Sequence, residues 1–320
     1  PEGSLKAKMC VTGNTMLYEL GERYAIGCKK LGKLIVATSD EETEELQTLL
    51  ERGRRNGVEG LRILSKREIK ELEPNVEGVA AILSPSTGII DSHGLMKYFI
   101  AKTKDGGTQI AYRTKVIGIE KVTEGYRVTV EDSAGKSSFI TKILINCAGL
   151  HCDKVAELAG IDIAKTGYKL HYCKGEYFSV GSGKSTLVNR LIYPLPLPKV
   201  TSVGIHVTFD LEGRMRLGPS IEYVDSINYA VDNRHKQLFY DSVRRFLPSI
   251  EYNDLESEMA GIRPKLQEPG GDFKDFVIRE ESDKGLPGFI NLIGIESPGL
   301  TASPAIANYV SGLIQERCTL

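Results

Sequence analysis

A single arginine between apolar neighbours is the clearest candidate for binding an anionic substrate. Arg263 stands in Gly261-Ile-Arg-Pro264, where the following proline restricts its backbone to extended conformations. A guanidinium is costly to bury unless it meets an anion, and its planar fork of donors matches a carboxylate. The chain also offers many Asp and Glu residues as partners. Arg263 is therefore a candidate carboxylate ligand, with a structural salt bridge as the alternative.

Histidine and tyrosine side chains supply candidates for proton transfer. His206 alternates with Ile205 and Val207 on a predicted strand, so its imidazole faces away from that apolar pair. A neutral imidazole, with an ordinary pKa of about 6.5, can accept a proton at neutral pH. Tyr193 could donate its hydroxyl to a substrate carboxylate or simply pack. His171 is a second candidate base, and either histidine could instead be an ordinary core or surface residue.

Two segments with the order strand, glycine turn, helix indicate a nucleotide cofactor. Residues 143–160 and 289–314 share this order, with the second helix expected from about Ser303. The free N–H groups and positive dipole end of such a helix can hold a phosphate or an electron-rich ring edge. Gly149 ends the first strand, where a close cofactor approach or a simple turn would explain the missing Cβ.

One glycine-rich segment resembles a phosphate-binding loop only in part. Residues 181–186 read Gly-Ser-Gly-Lys-Ser-Thr, but the position five before Gly183 is Phe178, so the first glycine of the motif is missing. Because the segment continues a β pattern, we expect Gly-Ser-Gly to form a hairpin turn. We predict no phosphate site there.

Composition excludes several classes of protein. The 320 residues are 41% hydrophobic and 26% charged with a net charge of −1, which argues against nucleic acid as a partner. No apolar run approaches the roughly 20 residues of a membrane span, so membrane association is not indicated. Six cysteines without a Cys-x-x-Cys pair favour reduced thiols and a cytoplasmic location. Without partner pairs, Cys147 and Cys152 predict no metal site.

The elements that must position these residues follow from local patterns. Helical spacing predicts a helix over 4–24, and an apolar run predicts a strand over 33–37. Ser65 begins a capping box that starts a short helix. A further strand is predicted over 108–112, and the pattern over 168–219 is mostly β. This order, with β/α pieces around a mostly β insert, predicts two interleaved domains.

Eight short segments occur in the order expected of one group of flavoenzymes. These segments are Ser84-Pro-Ser-Thr-Gly-Ile-Ile-Asp-Ser-His93, Asn146-Cys-Ala-Gly149, Lys174-Gly-Glu-Tyr177, Ile192-Tyr-Pro194, Gly204-Ile-His-Val-Thr208, Leu217-Gly-Pro219, Gly261-Ile-Arg-Pro-Lys-Leu266 and Gly294-Ile-Glu-Ser-Pro-Gly-Leu-Thr301. Over nearly its whole length the chain resembles FAD-dependent oxidoreductases of the D-amino-acid-oxidase type, most closely the L-2-hydroxyglutarate dehydrogenases.

The resemblance implies a fold of two interleaved domains. An α/β flavin-binding domain, incompletely Rossmann-like, would comprise residues 1–20, 86–166 and 270–320. An α+β substrate domain on a mostly antiparallel sheet would comprise residues 21–85 and 167–269. The active site would lie between the two domains, with the flavin ring facing that sheet.

The resemblance also implies FAD as cofactor and a small carboxylate as substrate. The residues expected to contact FAD are Val116, Ala148, Gly149, Gly294, Pro298, Gly299, Leu300 and Thr301. In the implied reaction, a 2-hydroxy acid similar to 2-hydroxyglutarate docks its carboxylate on Arg263 and Tyr193. His206 accepts the hydroxyl proton while the hydride passes to the flavin, which gives the 2-oxo acid. The sequence does not identify the electron acceptor.

One motif of the family is missing from these 320 residues. Family members open with a strand, a Gly-x-Gly-x-x-Gly turn and a helix that hold the FAD diphosphate on backbone amides. The chain is therefore either a fragment that starts inside a family member or a flavin-free remnant with a binding role. Oxidation of glycerol 3-phosphate or an amine is the enzymatic alternative. A phosphate would require several cations, and Lys265 is the obvious second cation near Arg263.

Overall fold

The computed structural model describes residues 1–196 and 204–317. Within these ranges the α-helices are α1 (Leu5–Tyr24), α2 (Thr43–Arg55), α3 (Lys66–Leu72), α4 (Ser92–Asp105), α5 (Cys152–Leu158), α6 (Ile163–Thr166), α7 (Lys236–Val243) and α8 (Gly299–Arg317). The strands are β1 (Cys28–Lys29), β2 (Lys33–Ala37), β3 (Arg62–Ser65), β4 (Ala80–Ser84), β5 (Ile89–Ile90), β6 (Lys115–Val122), β7 (Gly125–Asp132), β8 (Gly135–Thr141), β9 (Leu144–Asn146), β10 (His171–Val180), β11 (Leu191–Pro194), β12 (His206–Phe209), β13 (Met215–Gly218), β14 (Glu222–Val224), β15 (Leu255–Lys265), β16 (Val277–Glu281) and β17 (Leu286–Ile293).

The largest sheet combines strands from two distant stretches of the chain. Its order is β15-β10-β13-β12-β11-β2-β4-β3, and β14 lies beside β13 on the same edge of β10. Neighbouring strands are antiparallel except β11 and β2, which run parallel. The predicted mostly antiparallel sheet is thus confirmed.

The two faces of this sheet have different roles. Alternate side chains, among them Phe178 and Val207, pack with Phe239 of α7 in the main hydrophobic core. Because successive side chains on a strand point to opposite faces, Tyr193, His206 and Arg263 lie on the other face. The candidate catalytic residues therefore share one surface.

Smaller sheets and two long helices form the rest of the described structure. Strand β17 pairs antiparallel with β16 and parallel with β9, and β6, β7 and β8 form a separate meander. Helices α1 and α8 pack against each other and, with β16 and β17, enclose a second core around Phe276 and Ile306. A third core around Tyr126, Cys152 and Phe289 joins the meander to α5 and β17.

Several local predictions are confirmed and others are wrong. Helix α1 begins after Ser4, whose side chain accepts from the N–H of Ala7, and Ser65 forms the predicted capping box with Glu68. The predicted strand over 108–112 is wrong, because the described backbone there is irregular between the glycine turn after α4 and Arg113, which has φ +56°.

The predicted hairpin at residues 181–183 is also wrong. The backbone makes a 3-10 turn over Ser182–Lys184, and β10 and β11 do not pair with each other. Lys184 donates to the carbonyl of Ser249 at 2.8 Å and lies 3.0 Å from Glu251 and 3.3 Å from Asp254. These contacts give this lysine a structural role in the turn.

The proposed division into two domains stays a prediction. All strands of the large sheet come from residues 33–84 and 171–265, inside the ranges assigned to the substrate domain. No described helix is long and apolar enough to cross a membrane.

Candidate active site

Three side chains from adjacent strands stack across the open face of the large sheet. The Tyr193 ring lies on the His206 imidazole with a centroid distance of 3.7 Å and an interplanar angle of 20°. The ammonium of Lys33 lies 4.7 Å from the centre of the same tyrosine ring. Their strands, β2, β11 and β12, are neighbours in the sheet, so the order across the face is Lys33, Tyr193, His206.

His206 holds a neutral imidazole with a free lone pair on Nε2. Its Nδ1 lies 3.0 Å from the Gly204 carbonyl, and because a carbonyl oxygen only accepts, Nδ1 carries the proton in the neutral ring. Nε2 then holds the free lone pair and has no hydrogen-bond partner among the described residues. Burial, reinforced by the charges of Lys33 and Arg263, lowers the pKa of His206 to about 3. The imidazole is therefore neutral at ordinary pH, with Nε2 unprotonated.

Arg263 has no carboxylate partner in the described part of the chain. It lies opposite Cys173 on β10, and the contact of its guanidinium is with the Cys173 sulfur at 3.6 Å. A Cβ on Gly175 would lie 2.9 Å from Nη2, so this glycine lets the guanidinium lie over β10. The salt bridge considered as the alternative role is absent from the described residues, which leaves a half-buried charge that suits an anionic ligand.

Two polar residues without a role predicted from the sequence, Tyr177 and Lys33, also face this surface. The hydroxyls of Tyr177 and Tyr193 have no hydrogen-bond partner among residues 1–196 and 204–317. Burial raises the pKa of both phenols, while the charge of Arg263 opposes the shift for Tyr177. Lys33 could have been found in the sequence, because it is the one charged residue of the apolar strand β2. Tyr177 lies in a segment that carried the family resemblance but had no assigned role.

The second histidine candidate lies elsewhere. His171 begins β10 opposite Lys265, whereas β10 meets β13 and the His206 region at its other end. This strand position places the His171 backbone away from the stack of Tyr193 and His206.

Glu176, Glu222 and His235 have the mutual spacing of metal ligands. Glu176 already lies 2.9 Å from Lys174 Nζ and 2.6 Å from His235 Nδ1, so its carboxylate is bound within the protein. Lys174 and Glu176 alternate with the residues of β10 that face the active surface. We assign this group a structural role under the sheet.

The two glycine turns predicted to hold the cofactor lie side by side. Strands β9 and β17 are parallel neighbours in which Asn146 pairs with Asn291, so the segments after both strands leave from one edge. The N–H of Gly294 lies near the thiol of Cys152 and opposes the rise of its pKa, so the two segments lie close together. Burial raises the pKa of this thiol to about 11, so it is an unreactive thiol under ordinary conditions.

A buried polar network fixes the shape of this edge. Asn146 Nδ2 donates to Asn291 Oδ1 at 2.8 Å and to the Cys152 carbonyl at 2.7 Å. Asn291 in turn donates to Glu281 at 2.9 Å. The oxygen of Asn146 accepts from the N–H of Ala148 at 3.2 Å and thereby holds the start of the first turn. Every link is short and most are buried, so the turn geometry is strongly specified.

The start of helix α8 offers free donors to a ligand. The helix begins at Gly299, four residues earlier than the sequence indicated. The N–H groups of Gly299 and Ala302 are used within the turn, whereas those of Leu300 and Thr301 donate to no described residue. With the dipole of this long helix, they form a site for an electron-rich group.

The other predicted cofactor residues surround these turns. Gly149 is exposed with φ +56°, and a Cβ there would meet no described atom within 4 Å, so a ligand can approach the backbone closely. Val116 is half-buried at a β-bulge of β6, in the core that contains Cys152. Pro298 is half-buried and opens the turn into α8.

Ion pairs join the second predicted cofactor turn to the end of β15, two residues after Arg263. Lys265, two residues after Arg263, lies 3.5 Å from Glu296, which also binds Lys6 at 2.7 Å. Leu266 packs where a Cβ of Gly294 would lie, at 2.7 Å from its Cγ. The end of β15 therefore leads directly into the second cofactor turn.

The fold and the site together define a flavin-dependent oxidoreductase. Backbone donors and open glycine turns that suit a dinucleotide lie next to a sheet face where, within the described residues, an imidazole nitrogen and a guanidinium have no polar protein partner other than the Cys173 sulfur.

Comparisons with known proteins place the chain within one family. The model of the family "FAD dependent oxidoreductase" (DAO) matches residues 1–313, so the chain belongs to this family and FAD is its cofactor. A mitochondrial L-2-hydroxyglutarate dehydrogenase of Arabidopsis thaliana is 35% identical over 97% of this chain and 72% of its own length. A glycerol 3-phosphate dehydrogenase of Caloramator mitchellensis is 30% identical over 98% of this chain and 62% of its own length.

A solved structure gives the same result for the fold. Dithionite-reduced L-α-glycerophosphate oxidase from Mycoplasma pneumoniae, with FAD bound, matches with a TM-score of 0.83 and 26% identity. The match covers 100% of this chain and 82% of that one. The predicted family, cofactor and class of enzyme are thus confirmed.

Proposed function

We propose that this protein oxidises a small 2-hydroxy acid, 2-hydroxyglutarate in particular, to the 2-oxo acid. The observation that carries this proposal is the guanidinium of Arg263, which has no carboxylate partner among residues 1–196 and 204–317, on the same sheet face as the unprotonated Nε2 of His206. A 2-hydroxy acid presents a carboxylate next to a hydroxyl, which matches these two groups. The identity to L-2-hydroxyglutarate dehydrogenases over nearly the whole chain supports this substrate.

Each residue then has a defined task. Arg263 binds the carboxylate through two parallel hydrogen bonds and fixes the orientation of the neighbouring carbon. His206 Nε2 accepts the hydroxyl proton, and its Nδ1–H stays on the Gly204 carbonyl, which holds the ring in place. Bound FAD supplies the two-electron acceptor for the hydride. The residues proposed to hold FAD are Val116, Ala148, Gly149, Gly294, Pro298, Gly299, Leu300 and Thr301.

Glycerol 3-phosphate is the second candidate substrate, because one relative and the solved structure act on glycerophosphates by their names. A phosphate dianion is best bound by cations that converge on one point. Lys265, the second cation near Arg263, is already paired with Glu296, which leaves Arg263 as the free charge at that end. The charge arrangement therefore favours a carboxylate.

Steady-state kinetics of the flavin-loaded protein test the proposal. We expect turnover of L-2-hydroxyglutarate, with glycerol 3-phosphate and amino acids oxidised far more slowly. Replacement of the substrate-binding cation, Arg263→Met, should lower kcat/KM for L-2-hydroxyglutarate by about 100-fold, because a buried carboxylate loses its charged partner. The exposed control Arg244→Met should leave it unchanged.

Two results would overturn the proposal. Rapid oxidation of glycerol 3-phosphate without turnover of any 2-hydroxy acid would assign the other substrate. Purified protein without flavin absorbance bands would favour the binding remnant. The cytoplasmic location stays a prediction.

A further inference from the structure

In the part of the chain that the structure describes, Lys33 is a second cation without an anionic partner on the active face, and the proposed reaction does not use it. Its ammonium forms no ion pair or hydrogen bond with any residue of 1–196 or 204–317, and its contact is with the face of the Tyr193 ring. Burial lowers the pKa of Lys33, so the protein loses free energy by keeping the charged form there. An anion beside the ammonium would offset this cost.

The strand order places Lys33 and Arg263 on opposite sides of His206. From β12, which carries His206, the sheet continues through β11 to β2 on one side and through β13 and β10 to β15 on the other. Both cations nevertheless act on His206, because the charge of each lowers its pKa. A ligand whose hydroxyl meets His206 therefore has a free cation near each end.

Tyr193 belongs to the Lys33 side of this arrangement. Its ring lies between the ammonium and the imidazole, and its hydroxyl has no hydrogen-bond partner among the described residues. Tyr193 and Arg263 thus lie on different sides of His206. They are therefore better placed to bind opposite ends of a ligand than to bind one carboxylate together, as the sequence suggested.

We propose that Lys33, together with the Tyr193 hydroxyl, binds a second carboxylate of the substrate and makes the site selective for dicarboxylic 2-hydroxy acids. This inference rests on the proposed function. Arg263 holds the carboxylate beside the reacting carbon, His206 receives the hydroxyl proton, and Lys33 neutralises the charge at the far end. A monocarboxylic acid would leave Lys33 without a partner and would bind more weakly.

A pair of substrates of equal length isolates the role of Lys33. L-2-hydroxyglutarate and L-2-hydroxyvalerate have the same five carbons, but the second carries a methyl group in place of the distal carboxylate. In the flavin-loaded protein, Lys33→Met should lower kcat/KM for the dicarboxylic acid, mainly through KM, by about 100-fold more than it changes kcat/KM for 2-hydroxyvalerate, because both substrates share any change at His206 but only the first loses a charged partner. Lys33→Arg should retain most of the preference.

The control is Lys30→Met, which removes an exposed lysine of the adjacent turn whose ammonium lies over the Tyr18 ring. This variant should leave kcat/KM for both substrates at the wild-type value. The visible absorbance of the flavin shows that each variant contains FAD. Equal losses on both substrates, or wild-type protein that does not prefer the dicarboxylic acid, would overturn the role of Lys33 and leave hydroxy-acid oxidation standing. Wild-type protein that oxidises neither acid would overturn the proposed function, and this inference with it.

Discussion

His206 combines two properties that are hard to obtain together, a buried imidazole and a free lone pair. The Gly204 carbonyl fixes the proton on Nδ1, and the aromatic ring of Tyr193 covers one face of the imidazole. Two nearby cations, Lys33 and Arg263, disfavour a further positive charge. In the free protein the residue therefore stays unprotonated far below the pH at which an ordinary histidine gains a proton.

This shift predicts a pH dependence of stability. The pKa of His206 is about 3 in the folded protein and about 6.5 in the unfolded chain, so between these values the unfolded chain binds more protons. The contribution to the free energy of unfolding is fully present above pH 6.5 and decreases as the pH falls toward 3, by up to about 1.4 kcal/mol per pH unit. Urea unfolding from pH 4.5 to 8 measures this slope.

The matched variants for this test are His206→Gln and His93→Gln. The first should flatten the slope, because its side chain does not titrate, whereas the second removes an exposed histidine and should keep the wild-type slope. A His206→Gln protein with the wild-type slope would show that other groups cause the acid sensitivity.

At the level of elements, glycines in the middle of two paired strands keep the active face flat. Gly175 of β10 pairs with Gly261 of β15, two residues before Arg263 on the same face. A Cβ on Gly175 would collide with Pro219 and Arg263, but one on Gly261 would meet no described atom within 4 Å. Since glycine weakens a strand, the open space over Gly261 indicates close approach by a ligand.

Gly261→Ala tests whether this glycine is required for stability or for ligand binding. We expect an unchanged or slightly raised free energy of unfolding, by up to about 1 kcal/mol, because alanine restricts the unfolded chain and fits the folded strand. At the same time kcat/KM should fall by at least about tenfold, because the new methyl group occupies ligand space. The control Gly312→Ala, in α8 with no described atom near its Cβ, should stabilise the protein without loss of activity. Full activity of Gly261→Ala would contradict a ligand at this position.

At the level of the whole molecule, the cofactor turn depends on one helix contact between distant parts of the chain. Helices α1 and α8 touch at Gly13, where a Cβ would lie 2.1 Å from the Thr301 carbonyl oxygen and 3.0 Å from Ala302 Cα. The ion pair of Lys6 with Glu296 joins the same two regions. The free N–H groups at the start of α8 are therefore positioned by residues near the other end of the sequence.

Gly13→Ala tests this coupling. Alanine raises helix propensity by about 1 kcal/mol, but the collision with backbone atoms forces α1 and α8 apart and costs about 1–3 kcal/mol or more. We expect a lower Tm and a lower flavin content per polypeptide, measured by thermal unfolding and by visible absorbance. Gly312→Ala is again the control. A Gly13→Ala protein with full flavin content and raised Tm would contradict the structural role of this contact.

Local sequence determined the elements whose signals lie within a few residues of each other. The capping box at Ser65, the helix after Ser4 and the apolar strand β2 follow from side-chain periodicity and from hydrogen bonds between near neighbours. The ordered segments also indicated the family, the cofactor and the candidates Arg263 and His206. Local patterns failed over 108–112, where glycines and Arg113 in a left-handed conformation break a strand-like sequence.

Only the tertiary structure decided which distant residues meet. Lys33 and Tyr193 come together because β2 and β11, far apart in the chain, pair in parallel, and the sequence carries no local signal for that pairing. The tertiary structure also decided between the two roles considered for Arg263. No carboxylate lies near its guanidinium among the described residues, which favours a ligand site over a structural salt bridge. Strand pairing and burial are properties of the packed molecule, because they depend on contacts between segments that propensity and periodicity treat separately.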